Sequence, residues 1–163
     1  MTPEEILKST NVFLKNEMIG EVSSAIGYIK EFRWSWLGTQ LNTFIVIGET
    51  EQSIRLDTIA KFSGDAFQFA LKNNKGWPRG LQSGVGSIAI LIGPDVDSSA
   101  VQFCESFSKK HWSAFEIPVV FDTSTNKLSM HTSSPAWGSL YVPYFTRKIM
   151  DLYDLLRVPT IPK

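Results

Sequence analysis

The chain has 163 residues, of which 43% are hydrophobic and 20% are charged, so one folded domain is expected and intrinsic disorder is excluded. Its 16 basic and 16 acidic side chains give a formal net charge of zero. That balance argues against a protein that holds nucleic acid mainly through phosphates, although a local basic patch remains compatible with it. No apolar run has the roughly 18 residues of a membrane helix, no leader opens the chain, and the sole cysteine, Cys104, cannot form an internal disulfide. A cytoplasmic protein is therefore expected.

The first residues carry the signals of a helix start. Thr2 is a preferred N-cap residue, proline follows it, and Glu5 stands where a capping box requires an acidic side chain. The pattern predicts a first helix to about residue 18, with Ile6, Leu7, Phe13 and Leu14 facing inward.

A hairpin follows. Residues 26–36 are mostly apolar at the even positions, and this period of two is typical of a half-buried strand. Leu37-Gly38-Thr39 predicts a turn, and the β-branched and aromatic residues of 42–47 predict a more central strand.

The remainder alternates between helices and strands. Apolar spacing and N-caps predict helices over residues 57–73, from 97 or 98 onward, and over 144–157, and continuous or alternating apolar runs predict strands over residues 87–92, 117–121 and 127–131. The fold class is therefore α+β or α/β, as a single domain over residues 1–163. We expect about four helices on a mixed, roughly five-stranded sheet, in the order helix-hairpin-helix-strand-helix-hairpin-helix.

Following the direction of each strand suggests a binding site. All five tryptophans and both histidines fall at one end of the predicted sheet, together with Lys75 and Lys109. Tryptophan offers a stacking face and cations attract anionic groups, so this end is predicted to bind a protein or a small anionic ligand. The predicted contacts are Trp77, Arg79, Lys110, His111 and Trp112, with Trp137 as a secondary choice. Nucleic acid is the least expected partner, and the oligomeric state stays open.

Two alternatives compete with that site. Each tryptophan could instead be buried and simply close the end of the sheet, because buried aromatic side chains are common. Residues 53–56 could also form a third strand of a meander, which would reverse the next helix and move Trp77 to the opposite end.

The rival function is a hydrolytic or metal-dependent enzyme at the other end of the sheet. Asp95, Asp97 and Asp122 follow two adjacent strands, and clustered carboxylates can hold Mg²⁺. The ordinary explanation is that Asp97 caps a helix and Asp122 begins a turn. A Ser83–His111 hydrolase remains a weaker alternative, and no cofactor is predicted.

Overall fold

The structure is a computed structural model that describes residues 1–77, 82–109, 111–132 and 140–157. Within these ranges the chain forms four helices, six strands and one turn of 3₁₀ helix, Trp34–Trp36. In chain order the elements are α1 (Pro3–Ser9), β1 (Phe13–Ile19), β2 (Val22–Arg33), β3 (Thr39–Glu49), α2 (Leu56–Asn73), β4 (Ser83–Gly93), α3 (Ser98–Ser106), β5 (Ala114–Asp122), β6 (Lys127–Ser129) and α4 (Val142–Leu156).

All six strands lie in one mixed sheet, in which the spatial order is the chain order. β1, β2 and β3 form an antiparallel meander, β3, β4 and β5 are parallel, and β6 returns antiparallel to β5. In the parallel part Ile45 lies beside Ile88, and Ile88 lies beside Ile117. The mixed α+β domain predicted from the sequence is confirmed, with one strand more than expected.

Helices cover both faces of the sheet. One core packs α1 and α4 against side chains such as Ile45, Ile88 and Val119, and the other packs α2 and α3 against Val46, Ala89 and Val120. Every residue of β4 is buried, as its continuous apolar run predicted for a strand covered on two sides. No helix among the described ranges is long and apolar enough to cross a membrane.

The predicted extension of α1 to about residue 18 is wrong. The predicted cap and capping box of Thr2 and Glu5 are present, but the helix ends at Ser9. Asn11 then adopts a φ of 57°, and β1 forms a hairpin with β2 through a two-residue turn that begins at Gly20, with a φ of 58°. Residues 14–18 of this edge strand are all exposed, so β1 lacks the apolar alternation that marks a half-buried strand.

The segment before α2 is not a strand of a meander. Ile54 makes a single parallel bridge to Val96, and α2 begins at Leu56. Because α2 returns the chain past the sheet, β4 enters in the same direction as β3. Trp77 therefore lies at the end of the sheet where β3 begins.

Gly86 tests how closely α4 packs on the sheet, and Gly64 in α2 serves as the comparison. A Cβ atom on Gly86 would lie 2.6 Å from Phe145 Cε1, whereas a Cβ atom on Gly64, in α2, would meet nothing within 4 Å. We expect Gly86→Ala to lower the free energy of unfolding by about 1–3 kcal/mol through overpacking. The same exchange at Gly64 should raise it by about 0.5–1 kcal/mol, because glycine is a poor helix former.

Urea unfolding of both variants measures this difference. A Gly86→Ala protein as stable as the wild type would contradict the close contact between β4 and α4.

Candidate binding site at the amino ends of the parallel strands

Three parallel strands begin at the same end of the sheet, at Thr39, Ser83 and Ala114. The segment that precedes each of them carries tryptophan: Trp34–Trp36 before β3, Trp77 before β4 and Trp112 before β5. We call this the tryptophan end of the sheet, and the opposite end, where these strands finish, the carboxylate end. The structure thus brings together four of the five tryptophans at the predicted end.

Three of the predicted contacts fall outside the residues that the structure describes: Arg79, Lys110 and Trp137. Of the others, His111 is partly buried, and Trp77 and Trp112 are exposed. His131 follows β6 and donates from Nδ1 to the carbonyl oxygen of Glu105, at 2.6 Å. The role of the predicted contacts in binding stays a prediction.

The four tryptophans divide into one structural residue and three exposed ones. Trp36 is only 3% exposed, and its ring packs edge-on against Tyr144, with centroids 5.1 Å apart. The guanidinium of Arg33 covers the same indole at 4.7 Å. In contrast, Trp34, Trp112 and Trp77 are 83%, 66% and 50% exposed. The alternative that a tryptophan closes the end of the sheet is therefore correct for Trp36.

Trp34 belongs to a larger apolar surface. Its ring meets that of Phe32 edge-on at 5.1 Å, and Leu37, in the same turn, is 83% exposed. Leu37 adopts a φ of 55° and Gly38 a φ of 72°, which turn the chain tightly from β2 into β3. Exposed apolar groups in contact with each other are typical of a binding surface.

A buried polar network holds the loop that carries Trp77. The backbone N–H of Trp77 donates to Gln40 Oε1 at 3.1 Å, and the Ser83 hydroxyl donates to the Trp77 carbonyl at 2.8 Å. Asn42, fully buried beside Gln40, accepts from the Tyr28 hydroxyl at 2.7 Å. Burial raises the pKa of that Tyr28 hydroxyl, which stays a neutral donor.

Glycine is required next to Trp77. A Cβ atom on Gly76 would lie 2.1 Å from Asn42 Nδ2, so a larger residue would displace the loop or the asparagine. The same network gives Ser83 a structural role rather than that of a nucleophile, because its side chain is buried and its hydroxyl donates to the Trp77 carbonyl.

His111 is held by a second polar chain that the sequence did not reveal. His111 Nε2 lies 2.9 Å from Glu116 Oε2, and the buried Ser63 hydroxyl donates to Glu116 Oε1 at 3.1 Å. The Phe67 ring stacks on the imidazole, with centroids 4.0 Å apart. A usable signal existed: Glu116 interrupts the apolar run of β5, and a carboxylate is rarely buried without partners.

A pocket of about 230 Å³ opens beside His111, between β5 and α4. β6 pairs only with residues 120–122, so the earlier part of β5 forms a wall of this pocket. The lining is mostly apolar and includes Phe107, Phe115, Pro118, Val142, Phe145 and Ile149. Its polar lining residues are Ser108, Lys109, His111, Glu116, His131 and Thr146, so both histidines lie on one pocket.

Charge is distributed unevenly between the two ends. Lys75 and Lys109 are exposed at the tryptophan end. The carboxylates predicted for the other end lie there: Glu49, Glu51, Asp95, Asp97 and Asp122. An anionic group approaching the tryptophan end can therefore pair with Lys75 or Lys109.

Two of the three aspartates of the rival site serve as a helix cap and a turn residue. Asp97 accepts from the Ser99 N–H at 3.0 Å as the N-cap of α3, and hydrogen bonds from Ser99 lower the pKa of Asp97. Burial would raise the pKa of Asp122, but hydrogen bonds from Ser124 and Thr125 outweigh it and lower that pKa. Throughout the described ranges, no three His, Cys, Asp or Glu side chains are grouped to hold a metal ion.

No family model, curated protein or solved structure matches the chain significantly.

The Ser63–Glu116–His111 chain makes a measurable prediction. We expect Glu116→Ala to lower the free energy of unfolding by about 1–3 kcal/mol, because the buried Ser63 hydroxyl loses its acceptor and His111 loses its partner. The matched control is Glu51→Ala, an exposed glutamate at the carboxylate end, which should change it by less than about 0.5 kcal/mol.

A double-mutant cycle with Ser63→Ala isolates the contact. A coupling energy of about 1 kcal/mol is expected between the two sites, measured by urea unfolding. Additive effects would show that serine and glutamate do not interact.

Proposed function

We propose that the chain is a binding module whose tryptophan end contacts an acidic partner, either an acidic surface of a protein or a smaller anionic ligand. The observation that carries the proposal is the exposure of three indoles, those of Trp34, Trp77 and Trp112, at one end of the sheet. A large aromatic ring is ordinarily buried, as Trp36 is in the same loop as Trp34. Tryptophan is also enriched among the residues that dominate interface energies.

Support for an acidic partner comes from the charges. Lys75 and Lys109 are exposed near the indoles, and the carboxylates lie at the far end of the strands. Indole faces also attract cations, but the lysines of this surface favour an anionic partner over a cationic one.

A cytoplasmic location belongs to the proposal as well. Cys104 is buried on α3, and burial raises the pKa of its thiol to about 12. The thiol is therefore unreactive in itself, and what supports a reducing compartment is that the sole cysteine forms no internal disulfide.

Selection of peptides from a random library displayed on phage tests the binding module without a known partner. We expect the selected peptides to combine Asp or Glu with apolar residues. Truncating Trp34 or Trp112 to alanine should weaken their binding at least about tenfold, the loss typical of an interface hot spot. The free energy of unfolding of both variants should change by less than about 1 kcal/mol, since the two indoles are largely exposed.

The matched control is Leu56→Ala, which removes an exposed apolar side chain at the carboxylate end. It should leave peptide binding unchanged. Peptides that bind equally well to both tryptophan variants, or that lose affinity with Leu56→Ala, would contradict the proposed surface.

The pocket beside His111 supports a small ligand as a second candidate. Its walls are mostly apolar, the carboxylate of Glu116 in its lining is paired with His111 and Ser63, and Lys109 is exposed beside it, so we expect it to fit an apolar or aromatic group that carries a carboxylate. We expect phenylacetate or octanoate to shift the NMR signals of residues that line this pocket.

Two variants check where the carboxylate binds. Lys109→Ala should weaken binding of phenylacetate severalfold by removing the cation, and Thr146→Trp should abolish it by filling the pocket. Lys72→Ala, an exposed lysine on α2, is the control and should have no effect. Binding that survives Thr146→Trp would place the ligand elsewhere.

A further inference from the structure

β1 forms one edge of the sheet, and its outer side pairs with no other strand in the part of the chain that the structure describes. Five consecutive residues, Leu14 to Met18, are exposed. Alternate residues of such a strand direct N–H and C=O groups away from the sheet, so they can accept a further strand. This edge is separate from the tryptophan end, because β1 pairs with Val22 to Gly27 in the first half of β2, whereas Trp34 follows the last residue of that strand.

The two faces of β1 carry different side chains. Lys15 lies on the α2 side, with its ammonium 5.3 Å from the Phe69 ring, and it forms an ion pair with Glu17. Asn16 lies on the α1 side, where its amide donates to Glu4. Met18, two residues further along the strand, shares the side of Asn16 and is 58% exposed.

The sequence of β1 is complementary to itself when it is reversed. Around Asn16 it reads Phe-Leu-Lys-Asn-Glu-Met-Ile, with two apolar residues and one charge on each side, and the two charges have opposite sign. In an antiparallel pair centred on Asn16, Lys15 stands opposite Glu17 of the other strand, and Glu17 stands opposite Lys15. Leu14 then stands opposite Met18, so polar groups face polar groups and apolar groups face apolar groups.

We propose that two copies of the chain associate through antiparallel pairing of β1 with β1 about a two-fold axis at Asn16, which joins two six-stranded sheets into one. The partner is a second copy, because a single patch that complements itself is what a two-fold interface requires. This inference does not depend on the proposed binding function, since it concerns a different surface and its test measures oligomeric state.

Two features of β1 often protect an edge from pairing, namely charge and a bulge. The charges here are of opposite sign and symmetric about Asn16, so they favour one register of self-pairing and disfavour others. The irregularity in the pairing of β1 with β2 lies at Leu14, between Phe13 and Lys15, so Lys15 to Glu17 at the centre of the proposed pair are regular and only its ends, where Leu14 meets Met18, are affected. A single strand pair buries a small area, so the dimer should be weak and concentration-dependent.

Sedimentation velocity over a concentration series, from about 10 µM to about 1 mM, tests the dimer. The wild type should shift from monomer to dimer. Lys15→Glu and Glu17→Lys should each weaken dimerisation about tenfold or more, because each places like charges opposite each other twice. An equimolar mixture of the two variants should dimerise like the wild type, since every charge pair is again of opposite sign.

The mixture separates cross-strand pairing from a local effect. Both variants lose the ion pair within β1, and mixing them cannot restore that pair inside one chain. Lys127→Glu, a reversal on β6 at the opposite edge of the sheet, is the control and should leave the dimer unchanged. A wild type that stays monomeric, a dimer that neither reversal weakens, or a mixture that does not recover would overturn the proposal.

A second variant keeps the test independent of charge. Asn16→Cys places two thiols on the two-fold axis, where opposite Cα atoms are about 4.5–5.5 Å apart and within reach of a disulfide. Mild oxidation should yield a covalent dimer from this variant and none from Lys127→Cys on the opposite edge strand, while the buried Cys104 stays unreactive. Equal crosslinking of the two variants would contradict the axis at Asn16.

Discussion

The parallel hydrogen bonding of β3, β4 and β5 is the constraint on which the rest of the structure depends. Parallel neighbours require the chain to return past the sheet between strands, and α2 and α3 make these returns. Each strand therefore begins at the same end, and whatever precedes a strand is delivered to that end. The tryptophans occupy these positions in the loops before β3, β4 and β5, so a purely topological rule brings residues far apart in the chain onto one surface.

The polar side chains at the two ends of the strands have different structural roles. At the carboxylate end, short polar side chains satisfy helix and turn backbone groups, as Asp97 and Asp122 do. At the tryptophan end, the buried side chains of Gln40 and Glu116 form hydrogen bonds to the loops, while Trp77 and Trp112 on these loops stay exposed. Gln40 and Glu116 act as supports, since each binds a loop residue from within a strand. An exposed side chain on a loop that is already fixed by hydrogen bonds loses less conformational entropy when it binds a partner.

The sequence predicted the sheet and its helices well wherever burial left a periodic pattern. β4 and the N-cap of α3 are examples, because an apolar run and a preferred cap residue identify them locally. The prediction failed at β1, where an exposed edge strand with Lys15, Asn16 and Glu17 carries no apolar alternation. The spacing of Ile6, Leu7, Phe13 and Leu14 then favoured continuing α1, whereas pairing with β2 decides the structure.

The location of the candidate site could be predicted from chain direction, but its details could not. Trp36 and Trp34 are two residues apart in one turn, and only tertiary packing makes one buried and the other exposed. The partnership of His111 with Glu116 and Ser63 joins a strand, a loop and a helix, and Ser63 is 53 residues from Glu116. Pairwise contacts of that separation leave no local pattern, so they become visible only once the fold is known.

The clearest test of the account is to measure whether the exposed tryptophans share one end of the sheet. ¹⁹F NMR of fluorotryptophan-labelled protein can do this, with Cys104 replaced by serine and a nitroxide attached to a cysteine at Lys75 or, separately, at Glu51. The two label sites lie at opposite ends of strands that are about 35 Å long. We expect the label at Lys75 to broaden the signals of Trp34, Trp77 and Trp112 and the label at Glu51 to broaden none of them. A signal from any of these three indoles that broadens only from Glu51 would contradict it.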